Sequence, residues 1–311
     1  MSSGLRVRQA AAIHETFVVR IWRWIKLKIR NVFYGQNEWQ RLCSPTGVDE
    51  DKRMARFRTE LALSPKMVQT CNVVFDLKPF PMDVTLHNVA MKAELDEHDA
   101  TLMANVRSCL YRCNYANKVY ARVYTLKNEG YNSSKQEHEE MLEQLWTNLK
   151  PDVRRNGGRI TKEWGEIGFQ GTDPMSDFRG MGVFSLVQLN YFTETYKVEA
   201  QRALKESNHP TRWYPFAVTG INVTAFLIEL IDEHLLDMKL YRLAANGATN
   251  DEDDDLSAGL TQLHDVYATI VTRFNQLWVD TNPRDVMAFP SIFQSLKNDI
   301  RHELQLQSFS Y

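Results

Sequence analysis

Apolar residues return every three or four positions along most of this chain, and that period predicts helices. At the amino end Val18, Ile21, Trp22, Ile25, Ile29 and Val32 recur at helical spacing, with Arg20, Arg23, Lys26 and Arg30 on other faces. A strand-like alternation from Ile25 to Arg30 competes, but the longer pattern favours helix. From Gly35 to Pro81 the pattern weakens: the charged segment from Asp49 to Arg58 opens a helix towards Leu63, and Lys78-Pro79-Phe80-Pro81 reads as an extended linker. Leu86, Val89, Ala90 and Ala93 then mark one helix, and Leu102, Val106, Leu110, Val119, Val123 and Leu126 mark a longer one, or two, ending near Gly130. Ser134 followed by Glu137 is a capping-box pattern ahead of Met141, Leu142, Leu145, Trp146 and Leu149, and Pro151 stops that helix.

The same period fills the second half. Leu186, Leu189, Phe192 and Tyr196 share a face, Lys197 to Glu206 forms another helix before His209-Pro210, and Trp213 to Ile231 is the most apolar segment of the chain. Helices follow over Leu235 to Leu243, Ser257 to Val279 and Pro290 to Leu304. Alternating strands are absent throughout. The expectation is an all-α fold, a single compact multi-helix domain with an amino-terminal helical extension. It divides into a basic amphipathic helix at 1–35, a helical region at 36–133 packed on the core, and a main domain at 134–306.

One stretch breaks the helical pattern. Seven of the fourteen glycines (Gly157, Gly158, Gly165, Gly168, Gly171, Gly180 and Gly182) fall within 26 consecutive residues. Glycine is costly inside helices and supplies close backbone approach, so this density predicts a tight, irregular segment. At its end stands Arg179, preceded by Asp173, Pro174 and Asp177. A planar, permanently charged fork of donors suits phosphate oxygens better than lysine's point charge. Two readings stand: a structural arginine tied through Asp177 or Asp173 to peptide carbonyls, or a guanidinium presented to a partner.

The run W-x3-G-F-Q-x2-D-P-x-S-D-F-R-G-x-G-x3-L-x2-L-x-Y-F, from Trp164 to Phe192, resembles the signature of the engulfment and cell motility (ELMO) domain family. The resemblance runs through Trp164, Gly168, Phe169, Gln170, Asp173, Pro174, Ser176, Asp177, Phe178, Arg179, Gly180, Gly182, Leu186, Leu189, Tyr191 and Phe192. Ser185 departs from it, where the family more often shows Gly. Similarity extends over residues 36 to 306, with the ELMO domain proper starting near Glu137. Arg179 places the chain with the short-chain ELMO-domain-containing branch. There, the resemblance implies, this residue is an arginine finger that stimulates GTP hydrolysis by Arf-family or Arf-like small GTPases.

The implied catalytic residue is therefore Arg179. Gln170, Asp173, Pro174, Asp177, Gly180 and Gly182 would support its loop, the two last glycines letting the GTPase come close, and Trp164, Phe169 and Phe178 would pack beneath. GTP and Mg²⁺ would belong to the partner, and this chain would hold no cofactor or metal of its own. The alternative is a non-catalytic scaffold that docks a small GTPase or an exchange factor at a membrane, as the longer ELMO proteins are understood to do.

Composition narrows the field further. A net charge of -2 and a pI near 6.5 give no pull towards nucleic acid. Residues 1–35 nevertheless hold seven Lys or Arg against the single acid Glu15. Each Lys or Arg at a bilayer centre costs roughly 2.5–3.5 kcal/mol, so this helix does not span. It either lies on anionic lipid, with Arg20, Trp22, Arg23, Trp24, Lys26 and Arg30 facing the membrane, or docks on the body by its apolar face. Cys43, Cys71, Cys109 and Cys113 are too sparse for a disulfide framework, and no secretory signal is visible, which points to a cytoplasmic protein, membrane-peripheral where that helix lies on lipid. Cys109 and Cys113 read as a buried, inert pair, and the acidic run from Asp251 to Asp255 as a solvated loop lacking calcium-ligand spacing. No Walker A, G-x-S-x-G or H-E-x-x-H occurs. Any catalytic role must come from lending residues to another protein's active site.

Overall fold

A computed structural model of the chain describes residues 38–43, 50–76, 81–245 and 255–306, together with Trp22, Ile25 and Lys78. Among these residues every regular element is helical, and the protein is all-α. In chain order the α-helices are α1 (Glu38–Cys43), α2 (Glu50–Leu63), α3 (Val68–Val74), α4 (Met82–Ala93), α5 (Ala100–Asn128) and α6 (Gln136–Leu149). After the glycine-rich segment come α7 (Gly182–Thr195), α8 (Lys197–Ser207), α9 (Phe216–Asp232), α10 (Asp237–Ala245), α11 (Ser257–Thr281) and α12 (Phe289–Gln305). Short 3₁₀ turns occupy Pro65–Met67, Lys162–Ile167, Pro174–Arg179 and Val286–Ala288. The candidate membrane-facing residues Arg20, Arg23, Trp24, Lys26 and Arg30 lie outside the described residues, as do Asp251 to Asp254. No helix of the described residues is long and apolar enough to cross a membrane.

Two compact units can be distinguished, each assembled from two segments: residues 1–121 with 237–259, and residues 122–236 with 260–311. The expected boundary at 133/134 falls inside the second unit.

In the first unit α2 buries Met54, Phe57, Arg58 and Leu61, the three- and four-residue spacing that puts side chains on one face. The charged member of that face is satisfied internally. Arg58 Nε lies 3.0 Å from Asp237 Oδ2, while the hydroxyls of Tyr120 and Tyr241 donate to the same carboxylate at 2.8 and 3.3 Å. Such a pair repays its desolvation only when its remaining hydrogen-bonding capacity is met, as here. Cys43, Cys109 and Cys113 are buried, and burial pushes the Cys109 thiol up to about 11 and the other two higher still, so all three stay protonated.

The second unit is built around α7. Val183, Phe184, Leu186, Leu189 and Phe192 are buried on several sides of it, so it needs neighbours all round, and α6, α8 and α9 pack against it. Ser185 is completely buried without penalty because its hydroxyl donates to the Gly182 carbonyl at 2.9 Å. At the far end Phe274, Trp278, Phe289 and Phe293 form a ring cluster between α11 and α12. Glu229 on α9 and Glu233 just past its end hold α12 through Lys297 and Arg301, at 2.7–2.8 Å. The capping box predicted at Ser134 does not form. Its amide instead donates to Asn132 Oδ1 at 2.9 Å, and α6 starts at Gln136 after Lys135 without a side-chain cap.

Candidate functional site

The glycine-rich segment lies wholly in the second unit and folds as two 3₁₀ turns on a bed of aromatic rings. Phe178 is the top of that bed and is 1% exposed. Tyr131 stacks on it at 5.2 Å between ring centres, and Phe169 meets it edge-on at 5.5 Å. The contacts continue from Phe169 to Trp164 at 6.0 Å and from Trp164 to Trp146 at 5.8 Å, both edge-on. Offset and edge-on pairs contribute about 0.5–1.5 kcal/mol each beyond the area they bury, which makes this floor stiff. Its polar edges are satisfied too: Trp164 Nε1 donates to the Arg159 carbonyl and Trp146 Nε1 to that of Val153, each at 2.8 Å. The Arg155 guanidinium covers the other face of Trp164 at 4.1 Å.

On this floor Asp173 opens the turn that ends in Arg179. Its carboxylate accepts from the Met175 amide at 3.1 Å, its carbonyl accepts from the Ser176 hydroxyl at 3.0 Å, and buried Pro174 supplies the preset φ of the first position. Asp177 closes the turn from the opposite side, accepting the Gln170 backbone N–H at 2.8 Å. Burial raises the Asp177 carboxyl pKa, and the Gln170 N–H and the nearby Arg179 charge pull the other way without cancelling it. Gln170 thus braces the loop through its main chain, not through the side-chain amide.

Arg179 is exposed. Its Nε donates to the Ser176 carbonyl at 2.8 Å, and among the described residues neither Nη atom has a hydrogen bond or ion pair. The local reading of a structural arginine is met only at this one carbonyl: Asp173 and Asp177 each turn a carboxylate oxygen to a backbone amide of the loop, and neither forms a salt bridge with Arg179. Gly180, also exposed, has open space where a side chain would stand. Gly182 differs from its expected role. It is buried with φ +55°, and a Cβ there would run into the Lys127 and Glu129 carbonyls, so its bare backbone serves the junction of α7 with the end of α5. The open approach is left to Gly180.

Two residues of this site escaped the sequence reading. Arg159 bridges to Asp173 at 2.8 Å and tethers the first part of the glycine segment to the second. Tyr131 comes from the α5–α6 connection. The only signal for Arg159 was its place inside the glycine run, and for Tyr131 there was none, because its partner Phe178 is remote in sequence. No group of three or more His, Cys, Asp or Glu among the described residues could hold a metal ion.

The profile of the ELMO/CED-12 family matches residues 121–293, a span that contains the whole of this site. The chain belongs to that family. It is 32% identical to ELMO domain-containing protein B of Dictyostelium discoideum, over 92% of this chain and 96% of that protein. ELMO domain-containing protein 2 of Mus musculus is 31% identical over 89% of this chain and 90% of its own length, and ELMO domain-containing protein 1 of Bos taurus 30% over 92% and 88%. No solved structure matches the chain. The ELMO/CED-12 span takes in all of the second unit up to Phe293, with the aromatic floor and the turn carrying Arg179.

Proposed function

We propose that this protein activates GTP hydrolysis by an Arf-family or Arf-like small GTPase, with Arg179 supplied in trans as an arginine finger to the β and γ phosphate oxygens. The GTPase brings GTP, Mg²⁺ and the residue that orients the water, so the bond breaks in the partner's site and this chain completes it. As the terminal P–O bond loosens, negative charge grows on the phosphate oxygens. A guanidinium held against them accelerates hydrolysis by about 10³–10⁵.

The observation that carries this reading is the state of Arg179: an exposed fork with its Nε anchored to Ser176 and both Nη groups open, on a turn braced by Asp173 and Asp177. A scaffold that never touches the phosphates gives no reason to keep such a fork unpaired. In a single-turnover assay, Arg179→Lys is expected to remove stimulation of a responsive GTPase while leaving the circular dichroism spectrum unchanged. Equal stimulation by the variant would return the protein to the scaffold reading.

A membrane contact is a second element of the reading. Trp22 is helical and 61% exposed, which supports a lipid-facing helix at the amino end of a peripheral protein. Salt-sensitive binding to anionic liposomes, lost when residues 1–35 are removed, is the expected result.

A further inference from the structure

Beside the finger turn, within the second unit, runs a groove of about 640 Å³. Phe169, Gln170, His209, Pro210, Trp213 and Val286 are among the residues that line it. Its lining includes no Lys, Arg, Asp or Glu. Apart from the imidazole of His209, phosphates and anionic headgroups find no cationic side chain in this lining, and the occupant that fits it best is uncharged.

The groove is built to stay open. The Gly168 carbonyl accepts the Val218 N–H at 3.2 Å, and Gly168, at φ +84°, leaves no room for a Cβ against the backbone nitrogens of Phe216 and Ala217. Further along the chain the Tyr214 amide donates to the Ser207 carbonyl at 3.0 Å, and Trp278 Nε1 to the Arg212 carbonyl at 2.7 Å. Trp213 is thus fixed at its backbone by both neighbours while the residue remains 50% exposed. A large aromatic ring presented to solvent at the edge of an uncharged cleft is the residue type most enriched among interface anchors.

Its neighbourhood names the partner. Gln170 belongs both to the groove wall and, through its N–H on Asp177, to the brace of the turn that ends in Arg179. Groove and turn therefore adjoin, within the footprint of a protein that receives Arg179. One arginine also buries far too little for a specific complex, which takes about 800 Å² per partner. We propose that the groove and Trp213 grip an aromatic or long aliphatic side chain on the surface of the same GTPase, next to its nucleotide. This surface sets affinity and choice of partner, whereas Arg179 sets the rate. The proposal rests on the reading of Arg179 as a finger only for the identity of the partner.

The test separates the two. Stimulated single-turnover hydrolysis is measured against increasing protein, and binding to the GTPase loaded with a non-hydrolysable GTP analogue is measured directly. Trp213→Ala is expected to raise the half-saturating concentration and the Kd about tenfold or more with an unchanged plateau rate. Pro210→Arg, which sets a charge across the exposed mouth, is expected to act alike, and both variants keep the wild-type melting temperature. Arg179→Lys shows the converse, a lost plateau with binding retained. Wild-type Kd in both groove variants, or a lowered plateau without a change in Kd, overturns the groove proposal whatever Arg179 does. Weakened binding in the groove variants together with full activity of Arg179→Lys upholds the groove and removes the finger.

Discussion

Two arginines, one in each unit, show what the fold can do with the same side chain. Arg58 is 8% exposed, and its guanidinium faces Asp237 at 3.0 Å, with Tyr120 and Tyr241 completing the carboxylate's shell. Arg179 is exposed, and one nitrogen of three is bonded. Acidic neighbours in sequence do not explain the contrast. Arg179 has Asp177 two positions before it, whereas Arg58's partner lies far along the chain. What differs is where the carboxylates are engaged: Asp177 and Asp173 accept from backbone amides and Asp173 also from Arg159, so neither bonds directly to Arg179, whose charge acts on Asp177 only through space. A charge inside must be matched, and a charge that is to act on another molecule must be left unmatched.

Exchanging alanine at the two positions tests that contrast most strongly. Arg58→Ala leaves Asp237 buried without its counter-charge and is expected to cost about 3–5 kcal/mol in denaturant unfolding. Arg179→Ala, removing an exposed group with one backbone contact, is expected to stay within about 0.5 kcal/mol of wild type. Similar losses at the two sites would break the comparison.

The rule for buried charge extends into the second unit at His264. It is packed against Tyr191 at 4.9 Å and Phe184 at 6.0 Å, and burial lowers its pKa from 6.5 to about 4. The unfolded chain therefore takes up a proton as pH falls through about 6.5, and the native state only near 4. Stability from this residue is intact above pH 6.5 and declines towards pH 4, by on the order of 3 kcal/mol. Melting curves at pH 7 and pH 4.5 are expected to lie closer together in His264→Phe than in wild type. An unchanged separation would show that His264 titrates normally.

The smallest expected effects come from a pair of glycines two residues apart. Gly182→Ala strains a positive φ and presses on two carbonyls, for about 1–3 kcal/mol. Gly180→Ala enters open space and is expected to change unfolding by no more than about 0.5 kcal/mol. If the proposed stimulation is lost in Gly180→Ala, the loss then reports on the approach of a partner and not on the fold.

These particulars also show what the sequence made legible. The long helices were readable because a three-to-four residue period survives wherever one face is buried, as in α6, α11 and α12. Helix α3 was not, since Val68–Val74 alternates small apolar and polar residues over too few turns. The passage from one unit to the other left no mark, because α5 runs through residues 121 and 122 without a proline or glycine. At the site, the glycines, Asp173, Pro174, Asp177 and Arg179 announced a tight charged turn from local chemistry alone. The Arg159 bridge and the Tyr131 stack depend on pairings made only in three dimensions. The roles of Gly180 and Gly182, alike in sequence, separate only when their neighbours are known.

The bond from Arg179 Nε to the Ser176 carbonyl divides labour among the nitrogens of one side chain. The inner one moors the group to its own turn, and the two outer ones stay unbonded among the described residues, held in one plane because the guanidinium is flat. Lysine has a single nitrogen at its tip. In this place it would have to choose between mooring and reaching out, which is why equal charge does not make it an equal substitute.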